Sequence, residues 1–297
     1  MTGAEQGFLL LGSCLGDPER KILTTAQLRR LSRYAAQMER PTENRELCLD
    51  DLTAIGCGNV LGQRVLDLLA QTDVLEHYMS KARKAGCVPV TRVSTGYPKD
   101  LLEKLADGCP AVLWAKGDRS LLDGPKIALV GSRNINEVNR AFAEEAGRQA
   151  ALQGYTLISG NARGADRIAQ ESCLRHGGKV ISIVADELTR QPMTDQVLYL
   201  SEEDFDAPFS AQRALSRNRV IHALGDKVLV AQCSLAHGGT WDGSVNNLRH
   251  GWSSVFCFQD GSEASTRLVS MGAQSVALAD LSDLDRLMKK EISFFDR

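Results

Sequence analysis

The chain has 297 residues, of which 43% are hydrophobic and 24% are charged, and its formal net charge is −2 at pH 7. This composition supplies core for one large domain or two modest ones, and the charge excludes a protein whose overall field coats nucleic acid. The eight cysteines form no C-x-x-C pair and no zinc-like spacing with histidine, so we predict reduced thiols, no metal and a cytoplasmic protein. The apolar run at residues 8–11 is too short for a signal peptide or a membrane span.

The first 90 residues are predicted to form a small helical domain. Apolar residues recur at helical spacing in three stretches, residues 24–40, 52–69 and 74–85. Gly56 and Gly58 interrupt the second stretch and predict a tight turn between two helices. We place the domain boundary near residue 90, which leaves residues 91–297 as the second domain.

Short β-rich runs alternate with helical stretches in the second domain. The predicted strands are residues 111–116, 127–130, 156–159, 180–185, 227–232, 255–258 and 275–279. The predicted helices are residues 137–153, 164–176, 211–224, 243–250, 263–271 and 281–290. This alternation predicts right-handed βαβ units and therefore a doubly wound α/β fold with a mostly parallel sheet. Residues 186–206 are acidic, and we predict that they form a loop-like insertion.

Three of the predicted strands end in glycine-rich loops that precede helices. Ligands of open α/β sheets bind at the carboxyl ends of the strands, so we expect the loops to meet there. Glycine permits sharp turns and close approach of a ligand, and helix N-termini attract anions. The loops contain Gly131, Ser132 and Arg133; then Ser159, Gly160, Arg163, Gly164 and Asp166; and finally Gly238, Gly239 and Thr240. Together they predict a phosphate-binding cleft. None matches G-x-G-x-x-G or the P-loop, which disfavours a dinucleotide redox enzyme and a P-loop ATPase.

A cluster of charge precedes the apolar helical run that begins at residue 220. Arg217, Asn218 and Arg219 combine guanidinium and amide groups, which suit contacts with phosphate and sugar. The alternative interpretation is a solvated helix start that pairs with the acidic residues at 202–204.

Five side chains need a separate interpretation. Asp166 either caps its helix, or grips a sugar hydroxyl or orders a neighbouring arginine. Trp241 either stacks on a base or belongs to the core, and His222 is predicted to be structural because it lies in an apolar run. Asp186 and Glu187 follow a predicted strand and would be the first catalytic candidates, with Asp166, if the protein were a hydrolase.

Five short motifs follow one another over about residues 90–260. They are Tyr97-Pro98, Trp114-x-Lys116-Gly117, Val130-Gly131-Ser132-Arg133, Ser159-Gly160-x-Ala162-Arg163-Gly164-x-Asp166 and Arg217-Asn218-Arg219-Val220-Ile221. In this order they resemble the DNA-processing protein A family (DprA, also called Smf). The resemblance implies an extended Rossmann-like fold, here in a divergent member without a C-terminal winged helix. It also implies binding of single-stranded DNA without sequence preference, loading of the RecA recombinase during natural transformation, and a homodimer.

The same resemblance assigns roles to particular residues. A pocket for the sugar-phosphate backbone would be lined by Ser132, Arg133, Arg163, Asn218 and Arg219 and shaped by Gly131, Gly160 and Gly164. The glycine turn at residues 55–58 is similar to the helix-hairpin-helix turn often found ahead of this fold. A tight turn between two packed helices is an equal alternative for that segment.

Two function hypotheses from different classes follow. The leading one is a non-enzymatic protein for recombination or transformation that binds single-stranded DNA without a cofactor. In it the phosphates are held by Arg133, Arg163, Arg217 and Arg219. The second is a small-nucleotide sensor or nucleotide hydrolase using the same cleft. The nearly neutral charge favours it, as does the Gly-Gly-Thr loop, which is similar to loops of the wider superfamily of Lonely Guy hydrolases. A scaffold that has lost its ligand is disfavoured, because Arg133, Asn218 and Arg219 are all present.

Overall fold

The computed structural model describes residues 1–35 and 47–287. The α helices are α1 Gly3–Gly12, α2 Thr25–Ala35, α3 Leu49–Ala54, α4 Asn59–Leu69, α5 Thr72–Lys84, α6 Lys99–Leu105, α7 Glu137–Leu152, α8 Ala165–Arg175, α9 Ala211–Ser216, α10 Asn218–Leu224, α11 Gly239–His250 and α12 Glu263–Ser270. The strands are β1 Val88–Thr91, β2 Val112–Lys116, β3 Lys126–Val130, β4 Thr156–Ser159, β5 Lys179–Ile183, β6 Val197–Ser201, β7 Lys227–Val230, β8 Ser254–Phe258 and β9 Gln274–Val276.

The strands form one sheet in the order β1-β2-β6-β5-β4-β3-β7-β8-β9. The pairs β1–β2 and β2–β6 are antiparallel, and every other neighbouring pair is parallel. Every residue of β3 is buried, as expected for a strand with helices on both faces of its sheet. The predicted doubly wound, mostly parallel α/β fold is therefore confirmed.

The direction of winding reverses at β3. From β3 the chain builds β4, β5 and β6 on one side, and it then returns to add β7, β8 and β9 on the other. The loops after β3 and β7 consequently diverge to opposite faces of the sheet and leave a crevice between them. Such a switch point is where open α/β sheets bind ligands.

Helices cover both faces of the sheet. On one face α7 packs against α8, and Gly147 permits the contact because a Cβ there would lie 2.1 Å from the carbonyl oxygen of Ala169. Phe142 of α7 stacks on Phe258 with ring centroids 4.3 Å apart. On the other face α6 and α10 supply Leu101 and other buried residues to a second core layer.

The N-terminal helices have a small core of their own and also rest on the sheet. Their separate cluster contains Leu11, Leu23, Leu28, Leu52, Cys57, Val65 and Leu68. Leu9 of α1 and Tyr78 of α5 instead join the larger core, where the Tyr78 ring meets the Trp114 ring edge-on at 5.5 Å. The domain boundary near residue 90 stays a prediction. No helix among residues 1–35 and 47–287 is long and apolar enough to cross a membrane.

Four elements were not predicted from the sequence: β6, α1, β1 and α6. β6 lies inside the segment 186–206 that was predicted to be a loop, since its buried apolar run is hidden by acidic surroundings. α1 was not predicted, although Thr2 and Glu5 form a capping box that is readable from the sequence. β1 is also new, and it is short and pairs only with β2.

Other predicted helices change at their ends. The predicted helix 211–224 is two helices separated at Arg217, and the predicted helix 281–290 contains 3₁₀ turns in its described part, 281–287. Asp280 and Asp283 accept backbone N–H groups there, which favours turns over a continuous α helix. The predicted helix 24–40 is observed over Thr25–Ala35, and its remainder and Pro41 lie outside the described residues.

Candidate functional site

A cleft of about 370 Å³, which we call the central cleft, opens at the switch point between β3 and β7. It brings together predicted residues from all three glycine loops and from the start of α10. Those residues are Gly131, Ser132, Arg133, Asp166, Arg217, Asn218, Gly238, Gly239 and Thr240. Cys233, Ser234 and His237 also line it, and the sequence pattern did not single out the first two.

A second depression of about 730 Å³, which we call the side groove, continues from the central cleft. The two share Arg133 and Arg217. Beyond them the side groove is lined by Gly160, Arg163, Arg167, Asp186, Arg190 and Phe209, among others. Arg167, Arg190 and Phe209 were missed in the sequence, because their approach to the cleft depends on how α8 and the segments around β6 pack.

The first two glycine loops are locked together by close backbone contact. Gly164 has a φ of +91°, and a Cβ at this position would lie 2.3 Å from the Ser132 carbonyl oxygen. The same oxygen accepts a 3.1 Å hydrogen bond from Ala165 N. Arg163 Nη2 donates to Asn134 Oδ1 at 3.1 Å, which adds a side-chain link. Gly164 therefore shapes the cleft from below and is not among the residues that line it.

The first and third loops are joined through Gln232. Its Oε1 accepts a 3.0 Å hydrogen bond from Asn136 N, and its Nε2 donates to the Asn134 carbonyl at 3.4 Å. Asn139 Nδ2 donates to the Ala231 carbonyl at 2.6 Å just below. These bonds hold the β3 and β7 strand ends in a fixed relation.

Arg217 joins the second loop to the third. Its Nη2 donates to the Gly160 carbonyl at 3.0 Å, and its Nη1 donates to Asn218 Oδ1 at 2.9 Å. Asn218 Nδ2 in turn donates to the Gly239 carbonyl at 3.0 Å. Gly160 makes room for the guanidinium, because a Cβ there would lie 2.0 Å from Arg217 Nη1.

Asp166 is the buried counter-charge of this site. Its Oδ2 accepts backbone N–H groups from Gly160 at 3.0 Å and Ala162 at 3.4 Å. Burial raises the pKa of the carboxyl, while Arg217 and these backbone donors oppose the rise. Burial likewise lowers the pKa of the Arg217 guanidinium, and the Asp166 charge opposes that. Asp166 therefore organises the second loop through residues that precede α8, and it does not cap the helix as its structural alternative predicted.

Three predicted site residues do not line the cleft or the groove. Ser159 is fully buried, and its Oγ accepts a 2.6 Å hydrogen bond from Gln170 Nε2, so its side chain belongs to the interior. Gly164 lies below the cleft. Arg219 turns away to form an ion pair with Glu202 and donates to the Gly108 carbonyl at 3.2 Å. The acidic pairing considered as the alternative thus holds for Arg219, as it does for Arg213, which pairs with Glu203 at 3.1 Å.

Trp241 and His222 differ in their position relative to the central cleft. Trp241 is half-buried, packs against the core and lines a separate depression beside α12, so it does not reach the central cleft. His222, predicted to be structural or partly buried, is fully buried, and it also contributes to the lining of the central cleft. Burial and, to a smaller extent, the Arg217 charge lower the pKa of His222 to about 3.

The arrangement favours binding of an extended anion. Five arginines line the connected cleft and groove, Arg133, Arg163, Arg167, Arg190 and Arg217, against the two aspartates Asp166 and Asp186, and Arg190 is already paired with Glu187 at 2.8 Å. This local charge is opposite in sign to the net charge of the chain. The first turn of α11 adds N–H groups that have no partner within the helix. Arginine forks and helix N-termini are the groups that bind phosphate.

The fold and this site define an α/β protein with an arginine-lined crevice at a topological switch point. Residues 89–283 match the model of the family described as DNA recombination-mediator protein A. The chain belongs to that family, and the expected relationship to DprA/Smf proteins is confirmed.

Named relatives support this relationship. The chain is 28% identical over 134 residues to DNA processing protein DprA of Bacillus subtilis, covering 41% of this chain and 45% of the relative. It is 31% identical over 156 residues to DNA processing protein DprA of Streptococcus pneumoniae, covering 48% and 53%. These matches span about half the length of either relative.

Two solved structures share the fold. The X-ray structure of DprA from Streptococcus pneumoniae superposes with a TM-score of 0.74 at 24% identity, covering 95% of this chain and 98% of that one. The structure of DNA processing protein A from Helicobacter pylori gives a TM-score of 0.53 at 24% identity, covering 64% and 90%.

Proposed function

We propose that this chain binds single-stranded DNA through its sugar-phosphate backbone, in the central cleft and the side groove. The observation that carries the proposal is the cluster of five arginines along one continuous depression of a chain whose net charge is negative. Family membership supports it, as does the related protein of Helicobacter pylori, whose structure is described as giving insight into its single-stranded DNA binding mode.

The path of the strand follows from the positions of these side chains. Exposed Arg133 stands where the cleft and the groove meet, so one phosphate binds there and its neighbours extend to either side. Phe209 lines the groove and is 55% exposed, and it offers a face on which a base can stack. Such contacts read the backbone and the π face of a base, so they discriminate little between sequences.

Fluorescence anisotropy of labelled oligo-dT tests this proposal. The three exposed arginines that form no ion pair with another described residue, Arg133, Arg163 and Arg167, are expected to contact three phosphates. They give an expected slope of about −2 in a plot of log affinity against log salt, because each contact with a single strand contributes about −0.7. Oligonucleotides of other sequence should bind with affinities within a few-fold of oligo-dT. Salt-independent binding, or the absence of binding at low salt, would contradict the proposal.

A small nucleotide is the second candidate ligand, with nucleotide hydrolysis as its enzymatic form. The specific observation is that Gly238, Gly239 and Thr240 line a cleft of about 370 Å³, a size suited to a small molecule. Nucleoside monophosphates that compete with oligo-dT at micromolar concentration, or that are turned over, would favour this candidate. If nucleoside monophosphates do not change the binding of oligo-dT, single-stranded DNA is favoured as the ligand.

We extend the proposal to the process, on the strength of the family alone. The chain handles single strands for recombination or transformation in the cytoplasm, passes them to the RecA recombinase and acts as a homodimer. Stimulated RecA assembly on DNA that is coated with a single-strand-binding protein tests the transfer. Light scattering of the purified protein tests the dimer, and a monomeric mass at working concentration would refute it.

A further inference from the structure

Two nitrogen donors at the floor of the central cleft have no hydrogen-bond partner among the described residues. They are Arg217 Nε and His222 Nε2. Arg217 is 6% exposed and His222 is 0% exposed, and both side chains line the cleft. A buried donor without a partner is costly, so native proteins retain one where a ligand satisfies it.

Asn247 determines which imidazole nitrogen of His222 carries the proton. Ser253 N donates to Asn247 at 2.9 Å, and because a backbone N–H can only donate, the atom that it meets is Oδ1. Asn247 Nδ2 therefore faces His222 Nδ1, at 3.1 Å, and donates to it. Since Nδ1 accepts, the proton of the neutral ring is on Nε2. His222 thus presents a fixed N–H donor.

The ring remains neutral at ordinary pH. Burial and the nearby Arg217 charge lower the pKa of His222 to about 3. The other titratable or charged groups that line the cleft are Arg133, Asp166, Cys233 and His237. Burial raises the pKa of the Cys233 thiol to about 11, with Asp260 adding to the rise, so that thiol is neutral as well.

The start of α11 packs closely against this donor. A Cβ at Gly243 would lie 2.9 Å from His222 Nε2, and one at Gly239 would lie 2.9 Å from Asn218 Nδ2. Glycine at both positions lets the first two turns of α11 approach the cleft floor without a side-chain clash. The floor therefore combines a guanidinium, an imidazole N–H and the free amides of a twelve-residue helix.

We propose that His222, positioned by Asn247, donates its Nε2–H to a phosphate oxygen at the floor of the central cleft, beside Arg217 Nε–H. The inference rests on the proposed function, because it assigns the phosphate group of that ligand to a defined subsite. The same chemistry is offered by a phosphodiester of a strand and by the monoester of a free nucleotide. His222 therefore has a ligand-binding role as well as the structural one that the sequence predicted.

Nuclear magnetic resonance of the histidine rings observes this donor directly. We expect a long-range ¹H–¹⁵N spectrum to show His222 as the neutral tautomer protonated at Nε2. Inorganic phosphate, thymidine monophosphate and oligo-dT should each shift that signal, while exposed His77 on α5 serves as the control. If only oligo-dT shifts the His222 signal, the subsite binds a phosphodiester of a strand. If thymidine monophosphate also shifts the signal, the subsite also accepts a monoester. Unchanged His222 signals while the Gly238 and Thr240 amides shift would overturn the inference.

Substitutions separate ligand binding from a merely structural role. His222→Ala should weaken oligo-dT binding about tenfold, the usual effect of losing one hydrogen bond to a charged group. Asn247→Asp replaces the donor to Nδ1 by a carboxylate, which favours the protonated ring. The affinity of the Asn247→Asp variant for oligo-dT should rise as the pH is lowered from about 8 to about 5. The reference is an Asn247→Asp, His222→Ala double variant, which lacks the titrating ring. The ratio of the wild-type affinity for oligo-dT to the His222→Ala affinity should stay constant over that pH range.

The outcomes distinguish this inference from the proposed function. If the wild type binds oligo-dT and Arg133→Ala weakens it, but His222→Ala and Asn247→Asp match the wild type at every pH, the proposed function stands and the inference fails. If the wild type binds no oligo-dT, the proposed function fails. The titration with inorganic phosphate then still tests the inference. A shift of the His222 signal supports the inference, and the absence of a shift contradicts it.

Discussion

Arg217 and Arg219 lie two residues apart and have opposite surroundings. Arg217 is buried at the floor of the central cleft, where it donates to oxygen atoms of Gly160 and Asn218 and leaves its Nε without a partner among the described residues. The buried Asp166 carboxylate is its counter-charge, but no hydrogen bond joins the two side chains. Arg219 is turned to the other side of the same segment, where the Glu202 carboxylate neutralises it. A cationic motif therefore does not define a binding site by itself; the direction of each side chain and the direct ion pair that it forms decide whether it reaches the cleft.

Helix geometry explains this difference. Residues two apart on an α helix lie on different faces, so Arg217 and Arg219 cannot both point into the same cleft once α10 has begun. Arg213, one turn earlier, is likewise paired with Glu203 at 3.1 Å. Of the three arginines, only Arg217 belongs to the cleft and groove.

The largest expected effect is that of Arg217→Ala. It removes two donors that hold the second and third loops together and takes away the positive charge that offsets the burial of Asp166, so it should cost about 3 kcal/mol of unfolding free energy. Oligo-dT binding should fall about 100-fold. Chemical denaturation and anisotropy measure the two effects. Arg217→Lys is the matched control. It should restore neither stability nor oligo-dT binding, because lysine lacks the forked N–H donors of the guanidinium. Full recovery of both would contradict the role given to Arg217.

The second effect is that of Arg133→Ala, which affects binding without affecting stability. Arg133 is exposed and borders both depressions, so its loss should weaken oligo-dT binding about tenfold, for every base sequence alike. The salt slope should become shallower by about 0.7. Unfolding free energy should stay within about 0.5 kcal/mol of the wild type. An unchanged salt slope would remove Arg133 from the phosphate contacts.

The positions of these residues show which parts of the site can be predicted from the sequence. The three glycine loops follow from the strand ends, because parallel strands present those ends at one edge. Ser159 was wrongly placed in the cleft because residues of a strand alternate in direction and its side chain faces Gln170. The His222 donor could not be predicted, since it depends on Asn247, which lies 25 positions further along the chain and meets it only in the folded protein.

A third and smaller effect is expected for Arg219→Ala, with the opposite pattern. Binding of oligo-dT should change less than twofold, while unfolding free energy should fall by about 1 kcal/mol through loss of the pair with mostly buried Glu202. A double-mutant cycle with Glu202→Gln measures the coupling. If Arg219→Ala instead weakened binding as much as Arg133→Ala, the placement inferred from the family resemblance would be restored.

The smallest effect concerns the pH dependence contributed by Asp166. Its folded-state pKa is raised above the ordinary value of 3.8, so the folded state holds the proton more tightly than the unfolded state does. The stability that it contributes is therefore present at low pH and is lost as pH rises through the folded-state pKa. Asp166→Asn keeps a side-chain oxygen acceptor and removes the titration. Urea unfolding should show the wild type losing stability relative to Asp166→Asn as pH rises above about 4; a constant difference would contradict the shift.

Hydrogen exchange with and without oligo-dT tests the central claim most directly, because it locates the bound strand on the chain. We expect slower exchange in the segments after all three strands, residues 131–134, 160–164 and 233–240, and in the first turn of α11. The Arg133→Ala variant should lose that protection at matched concentrations. Protection confined to the N-terminal helices α3 and α4, with the three loops unchanged, would show that the strand binds elsewhere.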